Sequence, residues 1–151
     1  MADSPFRHAR ADASPGFLLW KITALWQRRL GVVLGELGIT QTQYAILASL
    51  RWFEERGEPP TQAHLVEHSK LDKMTLSKAI RKLEDDGLLA RDPSPRDSRA
   101  VHVRFTAQGR KLVQKAVVTV ESADDAFFSA LGARQLADYK ALTLRLITGN
   151  S

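Results

Sequence analysis

Apolar residues along most of the chain recur at helical spacing. Between Phe17 and Leu37 they cover more than one face of a helix, which predicts a helix that is buried on several sides. Thr40 is a suitable N-cap for a second helix, which the sequence "RGEPP" ends. The helically spaced residues of this second helix are Tyr44, Leu47, Ala48 and Leu50.

Two short helices follow, each with its own predicted cap. Thr61 precedes the helix "QAHLVEH", and Asp72 precedes a helix that runs from Lys73 to Asp86 and ends at Gly87. The short connection "SKL" joins them. Two short helices joined by a tight turn predict a helix-turn-helix.

A hairpin and two further helices complete the pattern. The β-prone runs "LLAR" and "VHVRF" flank the loop "DPSPRDSRA", which predicts a β-hairpin, or wing, directly after the helix-turn-helix. Thr106 caps a helix of roughly twenty residues, and Leu131 and Gly132 separate it from the last helix. One face of the long helix carries Leu112, Ala116, Val120, Ala123 and Phe127, and the last helix carries Leu136, Tyr139, Leu142 and Leu146 in register.

Composition narrows the function classes. A chain of 151 residues, 44% of them hydrophobic, can bury one core or a closely fused pair of cores. The net charge of +5 favours an anionic partner. The absence of cysteine excludes disulfides, thiolate metal sites, cysteine nucleophiles and thiol redox sensing. Since the chain has no apolar leader and no apolar run of bilayer length, we expect a cytoplasmic protein without a membrane partner.

The predicted helix after Asp72 has two unlike faces. At 100° per residue, Leu76, Ala79, Ile80 and Leu83 share one side. The opposite side is polar and cationic, and five basic residues lie between Lys70 and Lys82. This surface suits the major groove of DNA, where Lys and Arg reach guanine or phosphate, hydroxyls reach base edges and Met contacts a thymine methyl. The candidate DNA-binding residues on this helix are Lys73, Met74, Thr75, Ser77, Lys78, Arg81 and Lys82. The alternative is an ordinary solvated helix face.

The same helix ends in three acidic residues, Glu84, Asp85 and Asp86. They would repel phosphate, so we expect them to lie away from the duplex and the N-terminal half of the helix to read the DNA.

The wing loop adds two arginines, Arg96 and Arg99, on either side of Asp97. Pro93 and Pro95 stiffen the loop, and a stiff loop that carries Arg can enter a minor groove. We expect one arginine to do so and Asp97 to orient the wing by a bidentate ion pair with the other. The alternative is a surface hairpin whose charges only keep it soluble.

These motifs resemble the MarR family of bacterial winged-helix transcription regulators. The resemblance rests on "ITQTQYAILASL", "LDKMTLSKAIRKLEDDGLLAR", "PRDSRA" and "VRFTAQGRKL", and it covers roughly residues 17 to 147. Thr75, Ser77, Lys78 and Arg81 fall at the family's recognition-helix positions. Asp97 and Arg99 match its wing motif, and Arg96 lies at the wing tip. Phe105 stands where the family commonly has Leu, and the lack of cysteine sets the chain apart from the peroxide-sensing branch.

The resemblance implies a mostly α fold with a small β-wing. It implies a flexible arm at residues 1–15, a helical dimerisation region at 16–38 and 107–148, and a winged helix-turn-helix DNA-binding domain at 39–106. It also implies an obligate homodimer on double-stranded DNA with a pseudo-palindromic operator. The family commonly binds small aromatic or phenolic anions in a cleft, for which Trp20, Tyr44 and Arg51 are the candidates here. The alternative is that the two aromatic residues belong to the core and Arg51 is a surface charge.

One motif points to a different class of protein. "HLVEH", from His64 to His68, has the pattern of an inverted zinc-peptidase signature, in which the two histidines bind zinc and Glu67 is the general base. The third ligand is missing, since the other histidines are His8 in the arm and His102 in a wing strand. We therefore expect exposed histidines, no catalytic residue, no metal and no cofactor.

The sequence thus predicts a MarR-type homodimeric repressor that a small aromatic ligand releases from DNA. Two alternatives are a winged-helix protein-interaction module that does not bind DNA, and a zinc hydrolase that uses "HLVEH".

Overall fold

The computed structural model describes residues 3 to 57 and 59 to 151; Met1, Ala2 and Glu58 lie outside the described residues. The architecture is mostly helical with one two-stranded antiparallel sheet, which confirms the predicted fold class. The six α-helices of the described residues are α1 (Pro15–Glu36), α2 (Gln41–Glu54), α3 (Gln62–Ser69), α4 (Lys73–Asp85), α5 (Ala107–Phe127) and α6 (Ala133–Gly149). The strands are β1 (Leu89–Pro93) and β2 (Val101–Phe105), and short 3-10 helices span Ala11–Ala13 and Phe128–Ala130.

The four predicted N-caps all accept a hydrogen bond from the main-chain amide three residues on. They are Thr40, Thr61, Asp72 and Thr106. The first helix begins earlier than its apolar pattern indicated, because Ser14 caps it and Pro15 fits the first turn. The "RGEPP" stretch does follow the end of α2, although its Glu58 lies outside the described residues.

The core lies beneath α4, between α2, α3, the sheet and α5. The predicted inward residues Leu76, Ile80 and Leu83 are fully buried, and Ala79 is half-buried. The buried apolar residues packed around them include Ile46, Leu47, Leu50, Leu65, Leu89, Val103, Phe105, Val113 and Ala116. Because one face of α4 is held in this core, its opposite face points outward.

The wing is joined to the helices at both ends. Its strands pair from Leu89 with Phe105 to Pro93 with Val101. The amide of Val103 donates to the carbonyl of Pro60, so β2 also contacts the segment before α3. The wing and the helix-turn-helix therefore form one lobe.

The terminal helices are mostly exposed within the single chain. Only Leu30 and Leu34 are buried in α1, and α6 has no buried residue. The prediction that α1 is buried on several sides is thus wrong for one chain, because α2 and α5 pack against only one side of it. In the described parts of the chain, no helix is both long enough and apolar enough to cross a bilayer.

Candidate nucleic-acid interface

The outward face of α4 carries the candidate DNA-binding residues together. Lys73, Met74, Thr75, Lys78, Arg81 and Lys82 are exposed, and Ser77 is half-buried. Met74 is 79% exposed, which is unusual for a large apolar side chain and leaves it free to contact another molecule. In the described parts of the chain, Lys78 and Arg81 form no ion pair, so both charges point into solvent.

The two hydroxyl groups on this face are held by neighbours. Thr75 donates its hydroxyl proton to Asp72 Oδ2 over 2.6 Å, and its amide donates to Asp72 Oδ1 over 2.8 Å. These bonds lower the pKa of the Asp72 carboxyl. Ser77 Oγ accepts a hydrogen bond of 3.2 Å from the side-chain amide of Gln62 on α3. No sequence pattern pointed to Gln62, because the contact joins two different helices.

Lysine and arginine side chains neutralise two of the three acidic residues at the end of α4. Glu84 accepts a bidentate pair of hydrogen bonds from the guanidinium of Arg91, which lowers the pKa of Glu84 and raises that of Arg91. Lys82 pairs with Asp86 at 2.9 Å, and this hydrogen bond raises the pKa of Lys82. The unpaired positive charge of α4 is therefore in its first three turns.

Two side chains hold the backbone of the wing loop. Asp97 Oδ1 accepts a hydrogen bond from the main-chain amide of Arg99, at 2.9 Å, and its ion pair with an arginine stays a prediction. The amides of Arg96 and Asp97 both donate to Ser94 Oγ. Because Asp97 bonds to the backbone two residues on, it closes a tight turn at the wing tip. Both arginine side chains are exposed at the wing tip.

Among the described residues, the three effector candidates are not seen together in one of the main cavities. Trp20 is 78% exposed and lines a shallow cavity with Leu19 and Gly16, in which neither Tyr44 nor Arg51 takes part. Tyr44 is half-buried; burial and the nearby carboxylates of Asp124 and Glu121 raise its pKa to about 12.

Arg51 forms ion pairs with Glu54 and Glu55 on its own helix. Its positive charge is therefore already compensated by two carboxylates. The alternative interpretation of Arg51 as a surface charge agrees with these contacts.

Both histidines of "HLVEH" already make hydrogen bonds within the chain. His64 Nδ1 accepts a hydrogen bond from the amide of Thr61, so the neutral ring carries its proton on Nε2 and offers no lone pair there to a metal. His68 Nδ1 bonds to Ser49 Oγ at 2.9 Å, and its ring lies 4.6 Å from that of Trp52. Among the described residues, no group of three metal-ligating side chains comes together.

A family model described as an ArnR1-like winged-helix domain matches residues 36–122. This range begins at the end of α1 and ends within α5, so it includes the whole helix-turn-helix and the wing. The match covers more than half of the chain.

Curated relatives and solved structures agree with the family model. The chain is 39% identical over 119 residues to the uncharacterised HTH-type transcriptional regulator YdcH of Bacillus subtilis, covering 79% of this chain and 81% of the relative. It is 29% identical over 135 residues to the HTH-type transcriptional repressor Rv2887 of Mycobacterium tuberculosis, covering 89% and 94%.

A structure of Rv2887 in complex with salicylic acid aligns with a TM-score of 0.68 at 29% identity, over 89% of this chain and 97% of that one. A MarR variant from Escherichia coli in complex with operator DNA aligns with a TM-score of 0.80 at 23% identity, over 92% of this chain and 98% of that one. The second likeness concerns the fold alone.

Proposed function

Because the chain has an ArnR1-like winged-helix domain and belongs to the MarR family of transcription regulators, we propose that it is a homodimeric repressor that a small aromatic ligand releases from its operator. As a member of this family it is a DNA-binding regulator and not an enzyme. The dimer, the direction of regulation, the effector, the cytoplasmic location and the individual DNA contacts belong to the proposal.

The observation that carries the proposal is the exposed cationic face of α4. Leu76, Ile80 and Leu83 fix this helix in the core, so Lys78 and Arg81 extend away from the lobe. An α-helix fits the major groove, and Arg there binds guanine O6 and N7 in a bidentate manner. We assign base reading to the first three turns of α4, with Lys73 and Lys82 on phosphates.

The wing supplies the second contact of the lobe. Asp97 closes the tight turn that presents Arg96 and Arg99, and the ion pair of Arg104 with Asp92 joins the two strands at 2.6 Å. A narrow minor groove concentrates negative potential that attracts arginine. We assign this groove to the wing of the DNA-binding domain at residues 39–106, beside the major groove that α4 occupies.

The exposed terminal helices support a homodimer. Leu19 and Leu146 are both 67% exposed, and Trp20 is 78% exposed. Apolar surface of this extent on elements at both ends of the chain is typical of an interface between subunits. Residues 16–38 and 107–148 would form the dimerisation region, and the arm of residues 1–15 would lie beside it. Two lobes on one face of the duplex place the half-sites about 10 base pairs or a small multiple apart.

The effector part of the proposal follows from Rv2887, whose structure holds salicylic acid. A ligand releases DNA only if it binds one arrangement of the two lobes more tightly than the other. We expect a small aromatic acid to act in this way here. Of the three candidates, Tyr44 on α2 lies close enough to α5 for the carboxylates of Asp124 and Glu121 to raise its pKa.

Selection of bound duplexes from a random oligonucleotide pool tests the function. We expect an enriched sequence with two inverted half-sites and an affinity that falls steeply with salt, because bound Lys and Arg release counterions from phosphates. A protein that retains no duplex at low salt would instead be a protein-interaction module. Adding salicylate to the preformed complex tests release, and an unchanged affinity up to millimolar salicylate would remove this acid as the effector.

A further inference from the structure

Thr75 and Ser77 face the proposed DNA site with opposite hydrogen-bonding character. A free hydroxyl both donates one proton and accepts through its lone pairs, so it does not by itself select a partner. In this chain a neighbouring side chain already binds each hydroxyl: Thr75 has spent its proton, whereas Ser77 has spent one lone pair and keeps its proton. Only Ser77 can therefore donate to DNA.

For Thr75 the donor role is filled. An ionised carboxylate only accepts hydrogen bonds, so the 2.6 Å bond to Asp72 Oδ2 must use the Thr75 proton. The second bond, from the Thr75 amide to Asp72 Oδ1, fixes the carboxylate in this orientation. Toward DNA, Thr75 therefore presents lone pairs and a methyl group. Phosphate oxygens also only accept, so Thr75 has nothing to donate to them.

For Ser77 one lone pair is used and the proton is left over. The side-chain amide nitrogen of Gln62 donates to Ser77 Oγ, and within the described residues the Ser77 hydroxyl makes no other hydrogen bond. Its proton is therefore available to an acceptor on the DNA. Gln62 lies on α3 and Ser77 on α4, so this bond also fixes the two helices relative to each other.

We propose that Thr75, oriented by Asp72, reads an amino group on a base, whereas Ser77 donates its proton to a phosphate oxygen. In the major groove adenine N6 and cytosine N4 are the amino donors, and guanine and thymine present carbonyl oxygens at the equivalent place. The operator should accordingly carry adenine or cytosine at one strand position of each half-site. This inference rests on the proposed function, because it requires α4 to lie in the major groove.

Asp72→Asn is the decisive variant. Asparagine caps a helix about as well as aspartate, and its oxygen can still accept from the Thr75 amide. Its NH₂ group, however, donates to Thr75 Oγ1, which releases the Thr75 proton toward the DNA. We expect the preference at that position to change from adenine or cytosine to guanine or thymine, with the helical circular dichroism unchanged. An Asp72→Asn protein that keeps the original preference would overturn the proposal.

Thr75→Val keeps the shape and removes only the hydroxyl. We expect it to bind the selected operator about three- to tenfold more weakly and random DNA equally well. Where the selected base is adenine, an operator with unsubstituted purine in its place lacks only the 6-amino group. The wild-type protein should lose the same factor in affinity on this operator, and Thr75→Val should lose no further affinity. An additive loss would contradict the pairing of Thr75 with this amino group.

Ser77→Ala serves as the contrasting variant. Because a phosphate contact carries no sequence information, its loss should weaken binding to the selected operator and to random DNA by the same factor. A loss confined to the operator would mean that Ser77 reads a base and would overturn that half of the proposal. If the wild-type protein selects no sequence at all, the proposed function fails as well, whereas a selected operator with an unaffected Thr75→Val protein rejects only this inference.

Discussion

Arg81 combines exposure with a fixed position on α4, one turn beyond Ser77. It lies between the buried Ile80 and the exposed Lys82, and it forms no ion pair among the described residues, so its guanidinium is available for a guanine edge. Lys82, by contrast, is partly compensated by Asp86. The two neighbouring cations therefore have different expected roles.

Arg81→Ala should cost roughly 1 to 3 kcal/mol of binding free energy on the selected operator if the guanidinium reads a base. The measurement is a titration of both the operator and random duplex at one salt concentration. Arg7→Ala, at an exposed arginine outside both the dimerisation region and the DNA-binding domain, serves as the charge-matched control and should leave the operator affinity nearly unchanged. An equal loss on random DNA would make Arg81 a phosphate contact.

Tyr44 lies where α2 packs against α5. Burial and the carboxylates of Asp124 and Glu121 raise its pKa from the ordinary 10.0 to about 12. As pH rises, the unfolded chain loses this proton first, so the contribution to the free energy of unfolding is complete below pH 10 and lost between about pH 10 and 12. Urea unfolding of the Tyr44→Phe protein should therefore show a shallower decline across this window than the wild type. Equal slopes would mean that the phenol titrates alike in both states.

At the scale of elements, the motif "TAQG" joins the N-terminus of α5 to the backbone before β1. Thr106 donates its hydroxyl to the carbonyl of Gly87 at 2.6 Å and accepts from the amide of Gly109 at 3.0 Å. The helix consequently packs so closely on the backbone before β1 that a Cβ at Gly109 would overlap the carbonyl oxygen of Leu88.

Gly109→Ala should accordingly lower the free energy of unfolding by roughly 2 to 4 kcal/mol, because backbone rather than a mobile side chain must move. Thermal and urea unfolding measure the loss. Gly35→Ala, within α1, is the matched control: a Cβ there meets nothing within 4 Å, and alanine is the better helix former. A Gly109→Ala protein as stable as the wild type would show that the contact relaxes easily.

The wing gives a second prediction at this scale. Arg99→Ala keeps the main-chain amide that Asp97 accepts from, so the turn should persist and circular dichroism should not change. Binding should weaken by about 1 kcal/mol through the lost minor-groove cation. If the variant instead unfolds, the Arg99 side chain is structural and the wing assignment fails.

The elements could be predicted from sequence because their signals are local. The caps Thr40, Thr61, Asp72 and Thr106 act on amides three residues away, and the two faces of α4 follow from its period. Contacts between elements could not be predicted in this way. The bond from Gln62 to Ser77 joins residues fifteen apart, and that from Trp26 to Asp124 joins residues ninety-eight apart.

The same limit applies to the effector candidates. Two aromatic rings and a cation suit an aromatic anion. The positions of Trp20, Tyr44 and Arg51 along the chain do not show, however, whether these side chains line one cavity. At Asp97 the sequence predicted a guanidinium donor, and the main-chain amide of Arg99 is a donor that side-chain types alone do not reveal.

At the scale of the whole molecule, a dimer explains both the exposed apolar faces of α1 and α6 and the outward cationic face of α4. A single lobe offers only a short set of DNA contacts, and two lobes held at a fixed separation bind with a gain in avidity that depends on both engaging at once. The apolar terminal helices, which the rest of the chain does not cover, would hold that separation.

Leu146→Glu tests this coupling without disturbing the chain's own core, because Leu146 is 67% exposed on a helix that buries none of its residues. We expect small-angle scattering at micromolar concentration to give twice the mass of the chain for the wild type and a single chain for the variant. Operator affinity should fall on the order of 100-fold or more as bivalent binding is lost. Leu146→Met keeps the apolar surface and should retain both mass and affinity. If the wild-type protein scatters as a single chain, two recognition helices are never held together, and the inverted half-sites expected of the operator have no physical basis.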